Sequence, residues 1–188
     1  MSAPGIGHNN GPTMEGGTGW RRHAWGRARA ELLPVLPVEV VRLRVKRAQE
    51  LGLPYRTYAG FRAATGHDLI GFLFSTNALR PDRAGAPAPD RAAWLSERIS
   101  TRRVVLAQPA GAADRLAASG VIDAAHPAPG PHAGWAAARA ALRAACEGRP
   151  ADRFVLVGEA PFERPWAEAA GCAGWLDGAA CFEGAPAG

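Results

Sequence analysis

Three short, uninterrupted apolar runs constrain this chain most: Leu69 to Ser75 (LIGFLFS), Arg103 to Ala107 (RVVLA) and Phe154 to Gly158 (FVLVG). A strand with one wet face alternates apolar and polar residues, whereas a continuous apolar run belongs to a strand covered on both faces, as parallel strands are. A fourth, weaker run spans Val121 to Asp123. Between the runs lie Asp90 to Ile99, Ala112 to Ser119, Trp135 to Glu147 and Pro161 to Ala170, each long enough for a helix. Strand and helix in alternation predict an α/β protein, a basic N-terminal helical segment followed by a small, mostly parallel α/β layered domain over residues 67–184. Residues 80–90 (RPDRAGAPAPD) read as a Pro/Ala-rich loop and 185–188 as a loose tail.

Ahead of that domain the pattern is different. Residues 1–18 hold too little apolar surface to offset the entropy of ordering them and are expected to be a disordered tail. From Trp20 to about Leu33 the spacing of Trp25, Ala28, Leu32 and Leu36 predicts a helical segment, ended by Pro34 and Pro37. A second helix starts after Pro37, with Val38, Val41, Val45 and Ala48 as its apolar stripe and Gly52 as its C-terminal cap. A third runs from Tyr55 to Ala64 and closes at Gly66, with Tyr58 and Phe61 on one face. Residues 19–66 thus form a helical segment.

Charge is concentrated in that segment. Between Trp20 and Ala64 there are ten Lys/Arg and three acids, a local balance of +7, which leaves −2 for the remainder of a chain whose formal charge is +5. Lys46 is the only lysine, and Arg, Ala, Gly and Pro abound as in a GC-rich coding sequence, so the distribution says more than the total. The longest uncharged apolar-rich stretch, Leu69 to Leu79, is well short of the ~20 residues of a membrane-spanning helix. The N-terminus has no cationic start followed by an apolar core, so a cytoplasmic location is expected. Cys146, Cys172 and Cys181 are odd in number and show no C-x-x-C, which points to small buried residues rather than a disulfide framework or zinc site.

Two sets of residues are candidates for function. From Arg44 to Ala63 (RVKRAQELGLPYRTYAGFRA), Ala48 four residues before Gly52, and Tyr58 and Phe61 after it, match the spacing of a helix-turn-helix, which needs a small residue at the crossing, a glycine at the turn and apolar residues inside the second helix. Tyr55, Arg56, Thr57 and Arg62 would then face a nucleic-acid groove or phosphates, with Arg42, Lys46 and Arg47 on the backbone. The plainer alternative is an amphipathic hairpin packed on the α/β part, its basic face solvated.

The other set lies at the strand ends, where parallel sheets bind ligands. Ser75, Thr76 and Asn77 follow LIGFLF, Gln108 follows RVVLA, and Gly158 and Glu159 follow FVLV. The stretches FLFSTN and FVLVGEAPFERPWAEAAG resemble two strand ends of haloacid-dehalogenase-like hydrolases. That resemblance implies a Ser/Thr that binds phosphate and an acidic strand end that helps hold magnesium. The D-x-D nucleophile of that family follows none of the apolar runs, which argues against a conventional phosphatase of this kind. His67 and Asp68 would serve acid–base chemistry if Ser75 came near them. His126 and His132, in AAHPAPGPHAG, lack a metal-site spacing, and no metal is expected.

The expectation drawn from charge segregation is a nucleic-acid-associated or regulatory protein that contacts phosphates through its basic helices. The alternatives are a small-molecule enzyme or binding protein, with a phosphate- or nucleotide-like ligand at Ser75, Thr76, Asn77, Gly158 and Glu159, and a protein-interaction module. Partners are thus nucleic acid or another protein and no membrane. No motif specifies a cofactor, a reaction or an oligomeric state.

Overall fold

A computed structural model describes residues 36–97 and 101–183, without the side chain of residue 183. The chain divides into two compact units within its first described helix, after Val41, and the second unit holds the sheet. The expected tails and the helix from Trp20 lie outside the described residues.

Two helices come first, α1 (Val38–Glu50) and α2 (Tyr55–Thr65). The turn between them is made by Gly52, whose φ of 67° is open to glycine with little strain. Leu53 N–H bonds back to Ala48 C=O at 2.9 Å, which closes a Schellman cap. The sheet begins with β1 (Gly71–Ser75), then α3 (Thr76–Leu79) and α4 (Pro89–Ser96), β2 (Arg102–Ala107), α5 (Ala113–Ala117) and β3 (Ala124–Pro127). The chain continues through α6 (Trp135–Ala145), β4 (Phe154–Gly158), α7 (Arg164–Ala170), β5 (Gly174–Asp177) and α8 (Gly178–Glu183).

All five strands pair in parallel, in the order β3-β2-β1-β4-β5. The chain moves outward from β1 to β3, then returns past β1 to lay down β4 and β5. The order therefore reverses between β1 and β4, as in a doubly wound sheet.

Both faces are covered, as the unbroken apolar runs require. Phe72 and Phe74 of β1, Val105 and Ala107 of β2, and Val155 and Val157 of β4 face one core. That core is completed by Ala48, Leu51, Leu53 and Tyr58 from the α1–α2 hairpin, by Trp94 and Leu95 of α4, and by Leu116 of α5. Leu73, Val104, Leu106, Phe154 and Leu156 face the opposite core, beneath Ala138 and Leu142 of α6 and Trp166 of α7. Burying a large side chain of this kind contributes about 1.5 to 3 kcal/mol, so these alternating positions hold the three layers together.

Some local expectations differ. The weak strand expected at Val121 to Asp123 lies three residues later, because Ile122 is buried while Asp123 turns back onto β2. Its carboxylate accepts from the Arg103 backbone N–H at 2.7 Å and from the Arg103 guanidinium at 2.8 Å. Strand β5 and helices α3 and α8 were not expected. Each is six residues or fewer, too short for a periodic signal. Cys146 and Cys181 are buried, Cys172 is half-buried, and no disulfide joins any two of them. Burial pushes Cys146 up to about 11 and Cys172 up to about 12, which leaves both as unreactive thiols at neutral pH.

Ion pairs fasten the N-terminal end of β2. Partial burial works against the charge of Asp123, but the hydrogen bonds from Arg103 outweigh it and hold the carboxyl below its ordinary range. Burial works against the charge of Glu147 too, but the hydrogen bonds from Arg102 and Arg149 together outweigh it and hold this carboxyl low. A carboxylate with a depressed folded-state pKa stabilises the fold fully above its unfolded pKa and loses that contribution as pH falls through the folded value. The urea midpoint is therefore expected to drop below about pH 4, and to drop less in an Asp123→Asn, Glu147→Gln double variant. Equal acid sensitivity in the two proteins would show that these pairs contribute nothing.

Candidate functional site

The polar groups at the carboxyl ends of β1 and β4 converge on one side chain, Glu163. Ser75 ends β1 and caps α3, where its Oγ accepts from Ala78 N–H at 3.1 Å. The same hydroxyl donates to Glu163 Oε2 at 2.9 Å. Asn77, on the single turn that succeeds it, donates from Nδ2 to Glu163 Oε1 at 2.8 Å. From the loop after β4, the backbone N–H groups of Glu159 and Ala160 donate to Glu163 Oε2 at 2.8 and 3.0 Å.

Local sequence explains how Glu163 arrives there. After β4, Ala160-Pro161-Phe162-Glu163 places proline at the first position of a short 3-10 turn and glutamate at the third, from which a side chain reaches back to the preceding backbone N–H groups. Glu163 and Ser75 are each 1 % exposed. Gly158 admits the carboxylate, because a Cβ at that position would sit 2.6 Å from Glu163 Oε2 and 3.0 Å from Trp175 Nε1. A side chain on residue 158 would therefore close the arrangement.

The rim is polar and more accessible. Arg80 grips Glu159 with two bonds, from Nε at 3.0 Å and from an outer nitrogen at 2.6 Å. Asn77 and Arg80 are exposed, and Gln108 is half-buried at the end of β2. Thr76 points to β2, where its hydroxyl donates to Leu106 C=O at 3.3 Å and accepts from Gln108 N–H at 2.9 Å. Thus Ser75, Asn77, Gly158 and Glu159 come together at the reversal between β1 and β4, while Thr76 ties β1 to β2.

His67 and Asp68 do not join them. They precede β1 and Ser75 ends it, and the five residues of β1 span roughly 17 Å. Asp68 instead accepts from Tyr58 Oη at 2.8 Å and from Arg47 Nε at 3.1 Å, and His67 lies 3.8 Å from Asp152. Burial, with the bond to Asp68, pushes the Tyr58 phenol above its ordinary value.

The residues of the helix-turn-helix spacing are distributed unevenly. Arg42, Lys46 and Arg56 are exposed. Arg47 is engaged by Asp68, by Glu50 at 3.1 Å and by Leu69 C=O at 3.0 Å. Tyr55 packs against the core, and Thr57 and Arg62 are half-buried. Phe61 lies over Gly174, where a Cβ would run into the ring. The inner face of α2 is thus packed on the sheet through Tyr55, Tyr58 and Phe61.

Glu163 was not anticipated from the sequence. Its signal was present: a glutamate three residues into a Pro-led turn, directly after a buried strand ending in glycine. What a linear reading lacks is the pairing with Ser75, 88 residues away.

No protein-family model, no curated protein and no solved structure matches the chain. The likeness to haloacid-dehalogenase-like hydrolases therefore stays with two strand ends, and no D-x-D follows β1, β2 or β4. The magnesium that the likeness implies can be tested against the donors present. Both oxygens of Glu163 accept hydrogen bonds from the protein, and both oxygens of Glu159 are held by Arg80. Among the described residues no group of three or more His, Cys, Asp or Glu could hold a metal ion. Magnesium demands near-octahedral oxygen coordination and keeps several waters. The residues at these strand ends do not fit it.

Proposed function

We propose that this protein binds a small phosphate- or nucleotide-like molecule over the carboxyl ends of β1 and β4. The observation that carries the reading is the meeting of Ser75, Asn77 and Glu159 where the strand order reverses, the place at which open parallel sheets hold ligands. In this reading Asn77 and Arg80 are the ligand's contacts, with the Arg80 guanidinium exchanging Glu159 for a phosphate.

Calorimetric titration with inorganic phosphate, ATP, GTP and NAD tests it. At least one is expected to bind, about tenfold or more weaker in Arg80→Ala, which is the loss of roughly one charged hydrogen-bonding partner. Failure of all four ligands, or binding indifferent to Asn77→Ala and Arg80→Ala, removes the reading.

A second reading rests on the exposure of Arg42 and Lys46 one turn apart on α1 and of Arg56 on α2. Here these cations contact nucleic-acid phosphates, and binding of labelled DNA or RNA falls steeply with salt. Neutralising the three together would abolish such binding and leave the small-molecule titration unchanged. Salt-independent binding, or binding retained by that variant, counts against it.

A further inference from the structure

Glu163 carries a carboxylate that is 1 % exposed. A buried carboxylate is costly unless its oxygens are hydrogen-bonded. Glu163 receives four donors, two from side chains at the end of β1 and two from backbone N–H groups after β4, at 2.8 to 3.0 Å. All four are well-formed hydrogen bonds by length. The donors come from two segments far apart in sequence and aim at one point, as the donors of an anion-binding site do.

We propose that Ser75 Oγ, Asn77 Nδ2, Glu159 N and Ala160 N form a cradle for a small carboxylate, and that the chain fills it with its own Glu163 in place of a divalent metal centre. The cradle takes an anion of acetate's size and shape. Its self-occupancy confines any external ligand to the rim at Asn77 and Arg80 and makes magnesium unnecessary to the site. Glu163 acts as an internal ligand that joins the two halves of the sheet at their point of reversal.

Chemical rescue tests this directly, because Glu163→Ala removes a methylene and a carboxylate, and acetate supplies a methyl and a carboxylate. Thermal unfolding of the full chain is measured in sodium chloride and in sodium acetate of equal ionic strength, with and without magnesium chloride. The variant in chloride is expected to melt roughly 6 to 12 °C below wild type, and acetate to restore about half or more of the loss. Wild type is expected to respond neither to acetate nor to magnesium.

If Glu163→Ala does not fold in chloride, it is expected to fold in acetate, and failure in both overturns the proposal. Glu163→Gln fills the same volume but sets an amide donor against the cradle's donors. It is expected to melt below wild type and to gain nothing from acetate. Equal acetate stabilisation of wild type and variants, or a magnesium-dependent rise in the wild-type melting temperature that Glu163→Gln abolishes, also overturns it. None of these readouts uses a phosphate or nucleotide, so their outcome is separate from that of the binding titration.

Discussion

Replacing Phe74 by alanine is expected to lower the free energy of unfolding by about 3 to 5 kcal/mol, the cost of emptying a buried phenylalanine site that cannot collapse. Phe74 is fully buried on β1 and sits at the centre of an aromatic cluster. Its ring centroid lies 5.7 Å from Phe72, 6.2 Å from Trp94 and 5.9 Å from Phe182. Trp94 and Phe182 in turn meet edge to face at 5.1 Å, and the Arg91 guanidinium covers the Phe182 ring at 4.3 Å. The cluster therefore joins β1, α4 and α8, and removing its central ring withdraws support from all three.

The loss reaches the strand ends. Helix α8 begins at Gly178, where a Cβ would meet Ala78 Cβ at 3.1 Å and Glu159 Cγ at 3.2 Å. An α8 loosened at Phe182 no longer holds Glu159 against Arg80. Urea unfolding of Phe74→Ala, with Leu43→Ala as a control at a side chain that is 68 % exposed, measures the effect. A Phe74→Ala cost below about 1 kcal/mol, comparable to a surface substitution, would mean that the cluster is not the fold's anchor. Hydrogen exchange in α8 is expected to accelerate in the same variant before exchange in β2 does.

The second large effect carries a sign that sequence reasoning alone would reverse. Gly71 opens β1, the central strand, and by propensity a valine there should help, since glycine in a strand costs about 0.5 to 1 kcal/mol. The surroundings decide otherwise. A Cβ on residue 71 would lie 2.6 Å from the Phe154 ring and 2.8 Å from Arg102 C=O, the latter a backbone atom of the paired strand β2. The ring could shift by disturbing the core under α6, but the carbonyl is held in the sheet.

Gly71→Val is thus expected to destabilise by about 3 kcal/mol, toward the upper end of what overpacking a core costs. Gly71→Ala is expected to lose somewhat less, because the first added carbon already makes both contacts. Melting temperatures of the two variants, read beside Gly60→Ala on α2, separate crowding from glycine's intrinsic cost. Position 60 has open space around a Cβ, and alanine there is expected to be neutral or stabilising. A Gly71→Val protein at least as stable as wild type would show that β1 and β2 can separate slightly without penalty.

The strand-end arrangement and the basic helices make different demands on the same chain. Tyr58 and Arg47 meet at Asp68, and the hairpin of α1 and α2 is thereby part of the sheet's cover, whatever its outer face contacts. Arg42, Lys46 and Arg56 are exposed. A binding titration and a salt series on the full chain thus report on two surfaces that do not share a residue.

Much of the fold was legible because burial on both faces leaves a direct mark. LIGFLFS, RVVLA and FVLVG read as covered strands since no polar residue interrupts them, and β1, β2 and β4 fall within or beside those runs. Gly52 and Gly66 marked helix ends because positive φ suits glycine. Tyr58 was placed in the core by its helical spacing, and it is 2 % exposed. The edge strands were less legible. AAHP and GWLD are four residues each, are only half-buried for the most part, and lack the continuous apolar character of a central strand.

Local order thus followed from the sequence by itself: periodicity, turn chemistry and apolar runs act over a few residues, and they determined the class of the protein, its central strands and most of its helices. Long-range order did not. The return of β4 to the far side of β1, the choice of Glu163 rather than Glu159 as the buried carboxylate, the engagement of Arg47 by Asp68, and the separation of Ser75 from His67 by the length of a strand were decided only by tertiary structure. Each depends on which distant groups share a small volume, where hydrogen bonds form or charges pair, and that depends on how the layers close.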